Sequence, residues 1–126
     1  MATATTETTE VGRRFLDALS QRDWDAVRAL LGADVKLRAL VPKTLREEEG
    51  PDAVVDRFKF WWDGLDDFRL LDGDVDELAG LAAVRYRFAG RDAEDGDLQV
   101  EQHCFLIVEN GSITAINSVC SGFQQA

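Results

Sequence analysis

The sequence predicts an α+β domain with its helices laid against one face of a curved antiparallel sheet. Apolar residues recur mainly at helical spacing in the first half of the chain and mainly in period-two alternation in the second. The pair Asn110-Gly111 stands between two alternating apolar runs, which is the pattern of a tight β-hairpin. A chain of 126 residues that is 45% hydrophobic suits one core, so a single domain over residues 10–126 is expected.

Residues 1–9 are rich in Thr and Glu and hold almost nothing apolar, which predicts a flexible tail ending in a helix cap near Thr8 or Thr9. From Val11 the positions Phe15, Ala18 and Leu19 follow at helical spacing. Asp23 then caps a second short helix carrying Ala26, Val27, Leu30 and Leu31. Gly32 ends that pattern, and Val35 to Leu40 alternate as a first strand with Lys36 and Arg38 on its polar face. KTLREEEG reads as a charged loop. Gly50-Pro51 starts a third helix, whose Val54, Phe58, Trp61 and Leu65 form a broad stripe widened by Val55 and Trp62. Four strands are expected after it: Phe68 to Leu78, Ala82 to Ala89, Leu98 to Val108 and Ser112 to Phe123.

Charge and composition exclude several functions. With 24 acidic against 14 basic side chains the net charge is -10, which repels nucleic-acid backbones and anionic lipid. No run approaches the ~18 apolar residues of a membrane span. The N-terminus lacks the basic start and apolar stretch of a signal peptide, so a cytoplasmic location is expected. Cys104 and Cys120 are expected as free thiols, and one histidine cannot complete a Cys/His zinc set, so no metal site is expected.

The hairpin serves as a ruler. If Glu109 pairs with Ser112 and the register runs on unbroken, His103 lies opposite Ser118, Glu101 opposite Cys120, and Phe105 opposite Ile116. One face then collects Glu101, His103, Phe105, Ile107, Ile116, Ser118 and Cys120, while Cys104 takes the other. A bulge would flip every assignment beyond it. On the preceding strand, Ala82, Val84, Tyr86 and Phe88 share one side, and Arg85 and Arg87 the other.

This element order, with the patterns QRDWDAVRALLGADV and FLIVENGSITAI, resembles the nuclear transport factor 2-like superfamily in its SnoaL-like and ketosteroid-isomerase-like branch. The resemblance covers the chain from Val11 onward. It implies a cone in which the sheet wraps the helices around an apolar cavity, and a homodimer through the outer face of the sheet. The first-helix tyrosine of ketosteroid isomerases falls here on Phe15 and their first-strand aspartate on Ala39. Both groups are missing, so a standard ketosteroid isomerase is not expected. Their inward acidic residue on the penultimate strand falls on His103.

Two functions follow as expectations. The first is a cofactor-free isomerase, cyclase or dehydratase acting on a small hydrophobic polycyclic or polyketide-like molecule, with His103 as acid/base and Glu101 as its helper. An imidazole with a pKa near ~6.5 both takes and gives protons at neutral pH. The second is a non-catalytic dimeric module that binds a ligand or another protein. His103 is either that acid/base or a half-buried partner of Ser118, and Glu101 either orients it or forms a salt bridge at the mouth. Phe58, Trp61, Trp62, Tyr86 and Phe88 are either pocket wall or plain core. Phe15, Ala39, Phe105, Ile116, Ser118 and Cys120 complete the expected lining. Cys120 reads as a wall residue, because a carboxylate opposite it opposes the thiolate.

Overall fold

The computed structural model describes residues 6–126. Helix α1 (Glu7–Ser20) is capped by Thr6, whose hydroxyl accepts from Thr9 N at 3.1 Å while Thr9 Oγ1 accepts from Thr6 N at 3.1 Å. Glu7 and Glu10 sit in the first turn, where the helix dipole favours negative charge. The cap thus lies two or three residues before the expected one, and residues 7–9 are helix and not tail. Of the expected tail, residues 1–5 lie outside the described residues. Asp23 caps α2 (Trp24–Leu30) as expected, accepting from Ala26 N at 3.2 Å. Gly50-Pro51 starts α3 (Pro51–Trp62).

The strands are β1 (Leu31–Val41), β2 (Thr44–Glu49), β3 (Asp66–Leu78), β4 (Leu81–Asp92), β5 (Gly96–Glu109), β6 (Ser112–Cys120) and the short β7 (Gln124–Gln125). They form one sheet in the order β2-β1-β6-β5-β4-β3, with β7 on β5. All pairings are antiparallel except β1 with β6, so the sheet is mixed. The stretch read as a charged loop is β2, an edge strand paired with β1 through Leu45 opposite Leu40 and Arg46 opposite Ala39. Its residues are almost all exposed and carry no alternation, so only pairing reveals it.

The three helices cover one face of this curved sheet. Gly12 lets α1 approach closely, since a Cβ there would stand 2.9 Å from Val75 Cγ1. The core fills the space between, built from Phe15, Leu19, Val54, Phe58 and Trp62 on the helices against Leu37, Val84, Tyr86, Phe88, Leu106 and Ile116 on the sheet. Trp24 Nε1 donates to Asp63 Oδ1 at 2.8 Å, and the Arg22 guanidinium donates to the carbonyls of Trp62 and Leu65, which fastens the α1–α2 corner to the end of α3. Among the described residues no helix is long and apolar enough to cross a membrane.

Candidate functional site

The late hairpin decides which side chains reach the interior. Asn110 and Gly111 have φ of 51° and 77°, as a type I′ turn requires, and Glu109 pairs with Ser112 and Val108 with Ile113. The ladder then slips by one residue, because Thr114 is left over and Ile107 pairs with Ala115. The Thr114 hydroxyl donates toward Ile107 O at 3.4 Å and Glu109 Oε1 at 3.1 Å. From there Cys104 faces Ser118, His103 faces Val119 and Gln102 faces Cys120. A single bulge therefore reverses the expected facing of β5 while leaving that of β6 as expected.

The correction is specific. Glu101, His103 and Phe105 stand on the outer face, not the inner one, and the His103 side chain keeps 48% of its surface exposed. Cys104, expected outside, is buried. Ile116 and Ser118 are buried on the inner face, and Cys120 lies half-buried opposite Gln102. Both cysteines are free thiols. They share the inner face of the sheet. They are diagonal rather than directly opposed on β5 and β6, which suits a disulfide poorly.

The inner face carries one continuous polar patch on β4, β5 and β6. Tyr86 lies opposite Gln102, and its phenol donates a hydrogen bond to Gln102 Oε1. With that proton engaged, the phenol oxygen accepts from the Cys104 thiol, 3.3 Å away. Burial pushes the Tyr86 hydroxyl well above its ordinary value of 10.0 and the Cys104 thiol up to about 12, so both stay protonated and act as donors. The relay runs from Cys104 through Tyr86 to the amide oxygen of Gln102. It leaves the amide nitrogen as the free end. Gln102 is wholly buried, and Gln102 Nε2 has no partner. Ser118, 6% exposed and adjacent to Ala39 of β1, buries a hydroxyl that finds no oxygen or nitrogen partner and has the Cys104 thiol opposite it on β5.

Around this patch the expected aromatic residues pack on one another. Phe15 meets Phe58 edge-on at 5.8 Å, Trp62 meets Phe88 at 5.5 Å, and Tyr86 lies 4.8 Å from Phe88. Trp61 is half-exposed and packs edge-on against Phe58. Among the described residues, Gln102 and Ser118 are the buried polar or charged side chains, so no carboxylate or imidazole is buried in the interior. Phe15 and Ala39 lie in it, fully buried and without ionisable groups.

On the outer face the expected pair does form. His103 Nε2 lies 2.7 Å from Glu101 Oε2, and Arg87 donates to Glu101 Oε1 from Nε at 3.2 Å and from its terminal nitrogen at 3.1 Å. The bond to His103, reinforced by Arg87, lowers the Glu101 pKa below 4.5. Beside them lies an open groove of about 210 Å³ lined by Asp74, Asp76, Arg85, His103 and Phe105.

Residues 12–116 match the SnoaL-like domain. The chain belongs to that family. Its fold is shared with solved structures of low identity. An M. tuberculosis LEH-like epoxide hydrolase aligns with a TM-score of 0.70 at 18% identity, over 93% of this chain and 84% of that one. A protein of ketosteroid isomerase-like fold from Catenulispora acidiphila DSM 44928, solved with trimethylamine, gives 0.73 at 12%, over 91% and 88%. An NTF2-like protein from Burkholderia xenovorans LB400 gives 0.71 at 13%, over 95% and 93%. No curated protein matches the sequence.

Within this SnoaL-like frame, reading outward from the Asn110-Gly111 turn alone misses Gln102 and Cys104. A signal for them existed on β5 itself. Leu98, Val100, Cys104, Leu106 and Val108 form the more apolar parity, and the odd-numbered set begins Gln99, Glu101, His103. The β4–β5 register, with Tyr86 opposite Gln102 and Phe88 opposite Val100, joins that parity to the inner side of β4.

Proposed function

We propose that this SnoaL-like chain binds an uncharged, hydrophobic small molecule between its helices and sheet, and that a carbonyl-type acceptor on the ligand docks against Gln102 Nε2 and Ser118 Oγ. The observation that carries this reading is the buried, unpartnered amide nitrogen of Gln102, beside a Ser118 hydroxyl that has only the Cys104 thiol opposite it on the neighbouring strand. A buried donor without a partner costs about 1–3 kcal/mol, which a ligand acceptor removes. Binding rather than acid/base turnover fits the interior, because general catalysis at neutral pH needs a group that titrates near 7. Tyr86 and Cys104 are both held far above that range.

Tryptophan fluorescence titration with two probes tests the reading: 2-acetylnaphthalene, which carries a carbonyl, and 2-ethylnaphthalene, which does not. Gln102→Leu is expected to weaken the ketone about 2- to 10-fold and leave the hydrocarbon unchanged, the worth of one hydrogen bond. Equal losses for both probes, or no ketone binding to the wild type, refute it.

A second reading rests on the 2.7 Å bond between Glu101 and His103. There the pair performs acid/base chemistry on the outer face, where only a partner subunit would exclude water. The same face carries exposed Leu40, Leu45 and Val119 beside Phe105, an apolar patch suited to a homodimer. Val119→Asp is expected to yield monomers in sedimentation velocity, and under this reading both Val119→Asp and His103→Ala abolish turnover. A wild-type chain that already sediments as a monomer removes the reading.

A further inference from the structure

A second register slip turns Phe123 onto the inner side of the sheet at its C-terminal end. Gln102 pairs with Cys120, but Gln99 pairs with Gln124 and Leu98 with Gln125, one residue later than an unbroken ladder would place them. The slip falls at Gly122. Its φ is +73°, and a Cβ there would stand 2.7 Å from Pro42 Cγ, so the position both needs the left-handed region and tolerates no side chain. Without this inserted residue Phe123 would take the facing of Gln99, on the outer side of the sheet. With it, the ring turns inward and meets Trp62 edge-on at 5.9 Å.

Phe123 is 42% exposed whereas Trp62 beneath it is 1% exposed, so the ring acts as a cover and not as core. The segment is tied to β5 on either side of the ring: Ser121 N donates to Glu101 O at 2.9 Å and Glu101 N to Ser121 Oγ at 3.0 Å before it, and β7 with Ala126 N, which donates to Asp97 O at 3.1 Å, follows it. At the pivot itself Gly122 N donates to Cys120 Sγ at 3.4 Å, so the ring and the thiol are coupled through one residue. Nearby are Cys120, half-buried opposite Gln102, and the indole N–H of Trp62, buried with no acceptor. The geometry points to Phe123 as the gate of the interior: the ring closes over Trp62 and swings away on the Gly122 pivot to admit a ligand to Gln102 and Ser118. The ligand part of this statement rests on the function proposed above. The gate does not, and it is measurable without any ligand.

The experiment is the rate at which iodoacetamide alkylates Cys120, followed by peptide mapping. Cys104, buried and held at about 12, reports unfolding, since it is alkylated only if the core opens. Phe123→Ala is expected to speed Cys120 alkylation about tenfold with Cys104 still protected. Phe123→Leu, which keeps part of the cover, is expected to fall between that variant and the wild type. If Phe123→Ala exposes Cys104 as well, the leucine variant decides by the same readout. Wild-type rates at Cys120 in a folded variant overturn the gate. A second arm adds 2-acetylnaphthalene, which is expected to slow alkylation of Cys120 in the wild type and to associate faster with Phe123→Ala. A variant that opens Cys120 while the ketone protects nothing leaves the gate standing and removes the ligand reading.

Discussion

Replacing Ser118 with alanine is expected to make the empty protein more stable and the ligand complex weaker. Ser118 is 6% exposed, and its hydroxyl has no oxygen or nitrogen partner, only the weakly accepting Cys104 thiol opposite it. Burying a hydroxyl without a partner costs about 1–3 kcal/mol, and alanine removes that cost while leaving a void no larger than one oxygen atom. Allowing for looser packing around the void, Ser118→Ala is expected to gain ~1 kcal/mol or somewhat more. For a chain of this size that corresponds to a rise of about 3–6 °C in the thermal midpoint, read by circular dichroism. With urea slopes of about 1–3 kcal/mol/M, the denaturation midpoint should rise by roughly 0.3–1 M. In the same variant, affinity for 2-acetylnaphthalene should fall about 2- to 10-fold, with 2-ethylnaphthalene unaffected. The opposite signs are the signature of a donor reserved for a ligand. A loss of stability of about 1 kcal/mol or more would show that Ser118 is already satisfied in the empty protein, and its hydroxyl would then no longer point to a ligand.

Two further perturbations address the outer face and the register. The Glu101 pKa is lowered in the folded state by its bonds to His103 and Arg87, so those bonds stabilise the fold above the unfolded carboxylate value of 4.5 and are lost as pH falls through the lower folded value. Glu101→Gln should therefore show a shallower loss of thermal stability than the wild type between neutral pH and pH ~3; identical profiles would show that the pair contributes nothing. Deleting Thr114 removes the bulge and forces one strand of the hairpin to turn its buried set outward. Exposing fully buried Ile116 alone costs about 1.5–3 kcal/mol, so the deletion should lower the thermal midpoint by at least about 5 °C, and a deletion variant of wild-type stability would refute this role for the bulge.

The elements were legible wherever a face is buried. Phe15 and Leu19 on α1, and Phe58 and Trp62 on α3, repeat at helical spacing because each helix presents one stripe to the sheet, and the caps at Asp23 and Gly50-Pro51 mark where the later helices begin. Strand β2 was not legible, since an exposed edge strand offers no alternation and is defined by its hydrogen bonds to β1 alone. The parallel pairing of β1 with β6 was equally hidden, because parallel strands are joined by a long connection and no tight turn marks their pairing in the sequence. The pairing of Glu101 with His103 was readable, as both lie on one side of a strand whatever its register.

Residue order alone establishes the α+β class, membership of the SnoaL-like family, the turn at Asn110-Gly111, and the absence of the ketosteroid isomerase tyrosine and aspartate at Phe15 and Ala39. Which of two adjacent residues, His103 or Cys104, points inside is settled only by packing in three dimensions. Side-chain facing has a period of two residues, so an inserted Thr114 inverts β5 relative to the turn, and a second insertion at Gly122 turns Phe123 inward. Each bulge settles by a balance of burial on both strands and their neighbours, including the match of Tyr86 to Gln102 across β4. A hairpin read in isolation does not contain that balance. The interior therefore presents an amide, a phenol, a hydroxyl and thiols, and the lone imidazole stands outside beside its carboxylate.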